Sequence, residues 1–480
     1  MECRSPVPPR LEDSSLTAEI LRVPGRVHLV GIAGAGMRAL AEILLAAGWR
    51  VSGSDLDLSS VHWLRQRGAQ IHEGHAAANV PRDSTLVVYS DAVDAENIER
   101  RAAAGREIPQ FSYAAAIAKL GQGRRTIAVA GTHGKSTTTA MLAHVLRGDG
   151  RDPTVLFGAT PIGEHSGGHL GRDAELVVEA CEYRRNFLQL EPATALLLNA
   201  EWDHPDTYRS AEDVRAALGE FAARVPSDGH LIVPCEDTLD AAITASGGQR
   251  FSTWGMSPAA DWWAAEVERL HGTYRFGLMG AGRLQGYVLL KVPGPHNVHN
   301  AVAAAAAAAA EGVDGATICE SLSTFPGLER RLEVVGALSG VTYVDDYAHH
   351  PTEIRAAATA VREMFPARRL WCVFEPHQSA RLRALLDDFA ASLHNAHGVL
   401  VTDVFAARES EGDQSAGTAL VEQLTDAGGQ ALRISGQQNA VVALERMTTP
   451  GDVVLTLGAG VVRRIVDELA ERTGRYRQAG

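Results

Sequence analysis

The chain has 480 residues, 45% of them hydrophobic and 21% charged, with a formal net charge of −13 at pH 7. That length and apolar content support about three globular domains, each with its own core. The acidic balance disfavours a general nucleic-acid or anionic-membrane surface and leaves room for a local basic pocket, so the expectation is small-molecule chemistry with no nucleic-acid and no membrane partner. Cys3, Cys181, Cys235, Cys319 and Cys372 are scattered with no C-x-x-C pair. This argues against a disulfide framework or a structural zinc site and suits a reducing, cytoplasmic location. Residues 1–10 carry prolines and charges where a secretory signal needs an apolar core. The alanine run 301–310 is too short to span a bilayer and reads as a buried helix.

An apolar strand at 27–30 leads into Gly31-Ile32-Ala33-Gly34-Ala35-Gly36, an apolar helix to Ala47 and a strand at 51–55, which together make a βαβ unit. A strand at 85–89 and a helix near 95–104 continue the alternation as far as Gly121-Gln122-Gly123-Arg124-Arg125. This polar, glycine-bearing linker closes a first domain at 1–122. A second domain, 123–331, carries strands at 176–179, 194–199 and 230–234, an insert of antiparallel strands at 251–292, and an alanine-rich helix after His296. The third, 332–480, alternates strand 341–344, helix 352–364, strand 369–374, helix 379–393 and strands 398–401 and 452–457. The fold class predicted is α/β with three domains in series: Rossmann-like, a P-loop-type ATPase domain with a mostly parallel sheet, and Rossmann-like again.

The strand ending at Ala130 runs into Gly131-Thr132-His133-Gly134-Lys135-Ser136-Thr137 and a helix. Backbone N–H groups and a helix N-terminus there face an anion, Lys135 reaches outer phosphates, and the hydroxyl of Ser136 or Thr137 can ligate Mg2+. Val129 stands where the usual spacing places a glycine, so the loop is a shortened variant. Two strands then deliver polar ends on the side where open α/β sheets bind ligands: Glu179-Ala180-Cys181-Glu182, and Asn199 through Asp203-His204. A carboxylate and an imidazole there are candidate metal ligands. Asn297 and Asn300, three apart, share one face of a helix's first turn, where they can cap the helix or meet a nucleotide. Gly34-x-Gly36 with Asp55 reads either as a dinucleotide or pyrophosphate turn or as glycine for tight strand-helix packing.

Taken in order, Gly31-Ile32-Ala33-Gly34-Ala35-Gly36-Met37, Ser54-Asp55-Leu56, Gly74-His75, Gly131 to Ser136, Glu179 to Glu182, Asp203-His204, Asp206-Thr207-Tyr208, His296-Asn297-Val298-His299-Asn300, Arg330-Arg331 and Asp345-Asp346-Tyr347-Ala348-His349-His350-Pro351 resemble the Mur ligase family. Within it the resemblance is strongest to members that join L-alanine to UDP-N-acetylmuramate, and it spans nearly the whole chain. It implies ATP and Mg2+ as cofactors, UDP-N-acetylmuramate and a small amino acid as partners, and a monomer or homodimer. Residue by residue, it places Gly131, Thr132, His133, Gly134, Lys135, Ser136, Thr137, Asn297, Asn300, Arg331 and Asp346 around ATP. Ser136, Glu179 and His204 fall on the metals, and Lys135, Glu179, His204 and Arg331 in catalysis. Gly34, Ala35, Gly36, Met37, Asp55 and His75 fall on the UDP-sugar, and His377, Gln378 and Arg381 on the amino acid. Asp403 and Glu409 are further candidates for the amino-acid pocket.

The chain departs from the family pattern at Ser136, commonly threonine; at Cys181, commonly aspartate; and in Glu375-Pro376-His377-Gln378-Ser379-Ala380-Arg381, where the common stretch is Gln-Pro-His-Arg-Tyr-Thr-Arg. Gln378 thus replaces one of two arginines expected near the amino-acid carboxylate. The alternatives are a ligase of the same family that attaches a recycled murein tripeptide to the same UDP-sugar and, in a different class, an NAD-dependent oxidoreductase. The oxidoreductase has no use for Lys135, Glu179 or His204.

Overall fold

The computed structural model describes residues 23–235, 249–405 and 413–473. It contains three sheets, one after another along the chain. Two compact units form, Met1–Arg124 with Gly168–Leu170, and Arg125–Gly167 with Gly171–Gly480.

The first sheet is five parallel strands, Arg26–Val30, Arg50–Asp55, Gln70–Glu73, Leu86–Tyr89 and Gln110–Ser112, in the spatial order third, second, first, fourth, fifth. The helix Ala35–Ala46 follows the first strand and buries Met37, Leu40, Ile43 and Leu44, the i, i+3, i+6, i+7 face that the sequence pattern requires. Gly31 makes the turn into it at φ 83°, a conformation that glycine adopts without steric cost.

The second sheet has ten strands around a parallel core ordered His230–Pro234, Thr194–Leu197, Arg125–Ala130, Glu175–Ala180, Thr154–Phe157. Its parallel strands are apolar runs buried on both faces, as βαβ connections demand. The helix Pro295–Ala310 lies in this core with Ala303 to Ala308 wholly buried against the helix Lys135–Gly148. The alanine run is therefore a buried core helix, as its composition suggests. The expected antiparallel insert begins one strand later than predicted, because Arg250–Gly255 pairs parallel with His230–Pro234. The hairpins that follow turn at His271-Gly272 and Ala281-Gly282, all four at positive φ, which is the two-residue geometry that matches strand twist.

The third sheet runs Glu333–Leu338, Val341–Asp346, Val453–Leu457, Leu370–Phe374, Gly398–Val401, Ala431–Arg433, parallel except for its first strand. Ile354, Phe389 and Leu420 cover one face; Val441, Leu444 and Ile465 cover the other. The predicted helix 379–393 is two helices, Ser379–Ala384 and Leu386–Leu393, broken at Leu385 (φ −121°, ψ 27°). Arg381 ties the first piece to Asp203 while Phe389 and Leu393 lay the second on the sheet, and one straight axis does not serve both.

Candidate functional site

The loop between strand Arg125–Ala130 and helix Lys135–Gly148 is shaped by Gly131 (φ 143°) and Gly134 (φ 81°), the latter capping the helix. A Cβ at Gly134 would meet the Asn300 amide oxygen, so the glycine also allows that close approach. Asn199 accepts from the N–H groups of Thr132 (3.1 Å) and His133 (2.9 Å) and donates back to the His133 carbonyl (3.0 Å). It braces the loop from the end of the neighbouring strand. Lys135 Nζ donates to the carbonyls of Gly131 (2.7 Å) and Thr132 (2.8 Å) and pairs with Glu182 Oε2 at 2.8 Å. Burial works against the lysine's charge, but Glu182 outweighs it and holds Lys135 well above the ordinary lysine range.

Ser136 Oγ donates to Glu179 Oε2 (2.8 Å), which also accepts from Gly158 N–H (2.9 Å). These are hard oxygen donors at the mouth of the loop, a set that fits Mg2+. The third expected metal residue, His204, lies beside Glu182, its Nε2 3.2 Å from Glu182 Oε1. Glu182 thus bridges Lys135 and His204. Its burial is opposed first by Lys135 and then by His204, which together pull the carboxyl down to about 2. Asn297 and Asn300 share one helical face: Asn300 Nδ2 donates to Asn297 Oδ1 at 3.0 Å, and Asn297 Nδ2 donates to the Pro293 carbonyl at 2.6 Å. Asp346 accepts from the N–H groups of Leu332 and Ala348, both at 2.8 Å, and burial pushes it up to about 6 against the pull of Arg331. Arg331 itself lies over the Tyr347 ring, 5.2 Å from its centroid.

The third sheet's loops meet the second sheet's strand ends through polar contacts that are mostly part-buried. His133 Nδ1 lies 3.1 Å from Glu353 Oε1, and its Nε2 lies 3.3 Å from Glu201 Oε2. Burial lowers the imidazole's basicity, but the two carboxylates outweigh it and raise His133 to about 9. Thr352 Oγ1 donates to Glu201 Oε2 at 2.7 Å. Arg381 Nη2 pairs with Asp203 Oδ1 at 2.8 Å and stands 3.4 Å from His204 Nδ1, while Nη1 is 3.4 Å from His377 Nδ1. Asp203, weighed from sequence as a metal ligand, is engaged by this arginine. His349 packs its ring 5.5 Å from that of His377, and burial pushes it down to about 4, leaving a neutral imidazole. Gln378 is buried at φ 64° and caps the helix Ser379–Ala384. Asp403 accepts from Gly436 N–H at 2.9 Å and Ser435 Oγ at 3.0 Å; Glu409 lies outside the described residues.

Sequence reasoning passed over Glu201, His350, Thr352 and Glu353 as site residues, and it noted Asn199 only as a strand end. Glu353 lies three residues past His350 in a helix-opening run that begins with Pro351 and Thr352, so it reads first as an N-terminal acid complementing the helix dipole.

In the first unit, Asp55 accepts from the N–H groups of Ala33 (2.8 Å) and Leu56 (2.7 Å) and so clamps the glycine turn. A Cβ at Gly36 would run into the Tyr113 phenol, which makes this glycine a packing requirement as well as an opening. Gly34 caps the helix that Ala35 opens, while the Met37 side chain is 2% exposed and belongs to the core, leaving its backbone for any ligand. His75 Nδ1 lies 2.9 Å from Ser54 Oγ and 3.4 Å from Glu99 Oε2.

A phosphate loop with an oxygen-rich cation place beside it, on a strand-loop-helix of the second sheet and met by a third α/β domain, is the arrangement of a P-loop-type nucleotide site. Residues 26–125 match the Mur ligase family catalytic domain, 129–308 the Mur ligase middle domain, and 330–460 the Mur ligase glutamate ligase domain. The chain belongs to the Mur ligase family. It is 39% identical over 93% of its length to UDP-N-acetylmuramate–L-alanine ligase of Salinibacter ruber, covering 94% of that protein. It is similar to the solved UDP-N-acetylmuramate-alanine ligase MurC of Thermotoga maritima, with TM-score 0.80 and 28% identity over 93% of this chain and 99% of that one. The murein peptide ligase of Psychrobacter arcticus follows, with TM-score 0.74 and 25% identity over 95% and 100%. Among the described residues, no helix is long and apolar enough to cross a membrane.

Proposed function

We propose that this protein joins L-alanine to the lactyl carboxylate of UDP-N-acetylmuramate, using ATP and Mg2+. The similarity to L-alanine ligases over 93% of the chain supports the substrate pair. The single structural observation that carries the chemistry is the run Ser136–Glu179 and Lys135–Glu182–His204 on adjacent strand ends.

A carboxylate is a poor electrophile. Its oxygen attacks the γ-phosphorus of ATP, the bond to the β-phosphate oxygen breaks, and ADP leaves with that electron pair, giving an acyl phosphate. The neutral amine of L-alanine then attacks the acyl carbon, the tetrahedral adduct expels phosphate, and the amine proton is lost. Both steps bring anions together, so fixed positive charge is the main requirement. Lys135, turning from the loop carbonyls to the outer phosphates, supplies it. Ser136 and Glu179 would hold Mg2+, whose charge would neutralise phosphate oxygens. Glu182 holds His204 and Lys135 in one frame, and the Asn297–Asn300 pair lines the nucleotide side of the loop. Contacts of His133, Glu201 and Asp203 with the third domain exclude water from the acyl phosphate. Gly34 to Met37, Asp55 and His75 receive the UDP-sugar; His377, Gln378 and Arg381 border the amino acid, with Arg381 already engaged by Asp203.

The test is phosphate release from ATP and Mg2+ with UDP-N-acetylmuramate, adding L-alanine, glycine, L-serine and the murein tripeptide singly. Release that depends on L-alanine supports the reading. Release with the tripeptide alone moves the protein to the recycling reaction, and release with none of them sinks it.

A further inference from the structure

His133, Glu201 and His350 present one ligand atom each, and the three atoms lie within 4.8 Å of one another. Glu201 Oε2 is the pivot, 3.3 Å from His133 Nε2 and 3.8 Å from His350 Nδ1, which also accepts from the Thr352 N–H at 3.3 Å as the cap of the helix Pro351–Met364. The imidazole rings of His133 and His350 are 4.7 Å apart, tilted by 43°. His350 is 5% exposed, and its Nε2 has no hydrogen-bond partner among the described residues.

The surroundings are those of a metal-ligating histidine. A ligating imidazole usually gives its second nitrogen to a carboxylate, which fixes the ring's orientation and tautomer. Glu353 Oε1 does this to His133 Nδ1 at 3.1 Å, leaving Nε2 directed at Glu201. Glu201 is steadied in turn by Thr352 Oγ1 at 2.7 Å. Two imidazoles and one carboxylate suit Zn2+, Co2+ or Ni2+, whereas Mg2+ seeks oxygen donors. Zn–N and Zn–O bonds of about 2.0–2.2 Å place neighbouring ligand atoms roughly 3.4 Å apart, so a separation at the 4.8 Å limit closes by about 1.4 Å on binding.

We infer that His133, Glu201 and His350 form a site for a borderline divalent transition-metal ion of the Zn2+ type, separate from the oxygen donors Ser136 and Glu179. Two ligands come from the strand ends of the second sheet and one from the third domain, so the ion fastens the nucleotide loop to the closing domain. Binding displaces the proton that His133 shares with Glu201, leaves its Nδ1–H on Glu353, and takes the His350 Nδ1 lone pair from the Thr352 N–H that it caps.

The experiment is titration of the full-length protein with Zn2+ by calorimetry in excess Mg2+, paired with Co2+ titration read in the visible spectrum. His350→Asn keeps a capping acceptor for the helix Pro351–Met364 and removes the imidazole. Glu201→Gln removes the pivot charge and serves if the first variant fails to fold. The wild type should take up one Zn2+, and Co2+ should give the intense ligand-field bands of a four- or five-coordinate ion. Each folded variant should bind at least about tenfold more weakly, in line with losses at metal sites. No Zn2+ uptake by the wild type, wild-type affinity in a folded variant, or a thiolate charge-transfer band pointing to Cys181 would each overturn the inference.

Discussion

Arg381 Nη2 and Asp203 Oδ1 are 2.8 Å apart, the arginine 1% exposed, in an ion pair between the helix Ser379–Ala384 and the loop after strand Thr194–Leu197. Two buried charges joined in this way are costly to separate, since removing one strands the other in a low-dielectric interior. Burial would raise the Asp203 carboxyl, yet Arg381 and then His204 hold it well below the usual carboxylate range. Asp203→Leu or Arg381→Met alone should cost about 3–5 kcal/mol, and the two together should cost less than the sum of the singles. Urea unfolding of the four proteins measures this. Additive losses would mean that the two side chains act independently.

Lys135 is tied down by two carbonyls and Glu182 before any phosphate arrives. Lys135→Ala should therefore lose turnover by more than about a thousandfold, the scale of a removed transition-state charge contact. UDP-sugar affinity should stay unchanged, because the glycine turn of the first unit lies on a different sheet. Calorimetry showing an equal loss of UDP-sugar affinity would defeat the assignment of Lys135 to ATP.

Gln378 is buried, next to His377 in the chain and three residues before Arg381, at the position where the family resemblance leads to the expectation of an arginine. On the proposed placement of the amino acid beside these residues, the pairing of Arg381 with Asp203 leaves its carboxylate one charged donor short. Gln378→Arg should lower the KM for L-alanine by about tenfold, the worth of one charge-assisted hydrogen bond, and leave the KM for UDP-sugar alone. An unchanged alanine KM would place this side chain away from the carboxylate.

Glu99 is wholly buried in the first unit and gathers His28 Nε2 (3.3 Å), His75 Nδ1 (3.4 Å), Ser54 Oγ, Ala76 N–H (3.1 Å) and Asn79 Nδ2 (2.7 Å). Burial acts to raise its carboxyl, but these hydrogen bonds, His28 first, bring it down to about 2. A depressed acid stabilises the fold above its unfolded value, near 4.5, and that stability is lost as pH falls through about 2. The shift corresponds to about 3 kcal/mol. Glu99→Gln should lose this much at pH 7 and flatten the acid limb of the stability profile. It should also raise the KM for UDP-sugar as His75 loses its brace. An unaltered acid limb would mean that the carboxylate is not the titrating group.

Motifs confined to one strand-loop-helix were legible in the sequence because their geometry is local: Gly131 to Ser136 needs only its own backbone, and Asn297 with Asn300 only one helical turn. The partnerships that complete the site were not. His133 with Glu353, Glu201 with Thr352 and Asp203 with Arg381 span 220, 151 and 178 residues, and each depends on how the second and third sheets pack. The hairpins at His271-Gly272 and Ala281-Gly282 were legible in kind, yet the parallel pairing of Arg250–Gly255 was not, because an apolar strand carries no mark of its partner's direction.

Glu375 stands where the family resemblance leads to the expectation of a glutamine, and its surroundings suit a neutral side chain better than a carboxylate. It ends the strand Leu370–Phe374, borders a cavity of about 610 Å³ shared with Thr402, Asp403 and Asn439, and is 5% exposed. Val461 N–H donates to Oε2 at 3.1 Å, while Oε1 has no hydrogen-bond partner among the described residues. Gly458 and Gly460 press against it so closely that a Cβ at either would collide with its side chain. Burial pushes the carboxyl up to about 7 from 4.5. Because the folded protein holds this proton more tightly than the unfolded chain, stability falls as pH rises from about 4.5 to 7 and stays reduced above it. The full effect is about 3 kcal/mol, an upper value since the cavity admits water. Glu375→Gln keeps the shape and removes the titration. It should match the wild type below pH 4.5 and exceed it by up to that amount at pH 8, measured by urea unfolding at both values. A variant less stable than the wild type at pH 8 would show that the ionised carboxylate holds a favourable partner in the cavity.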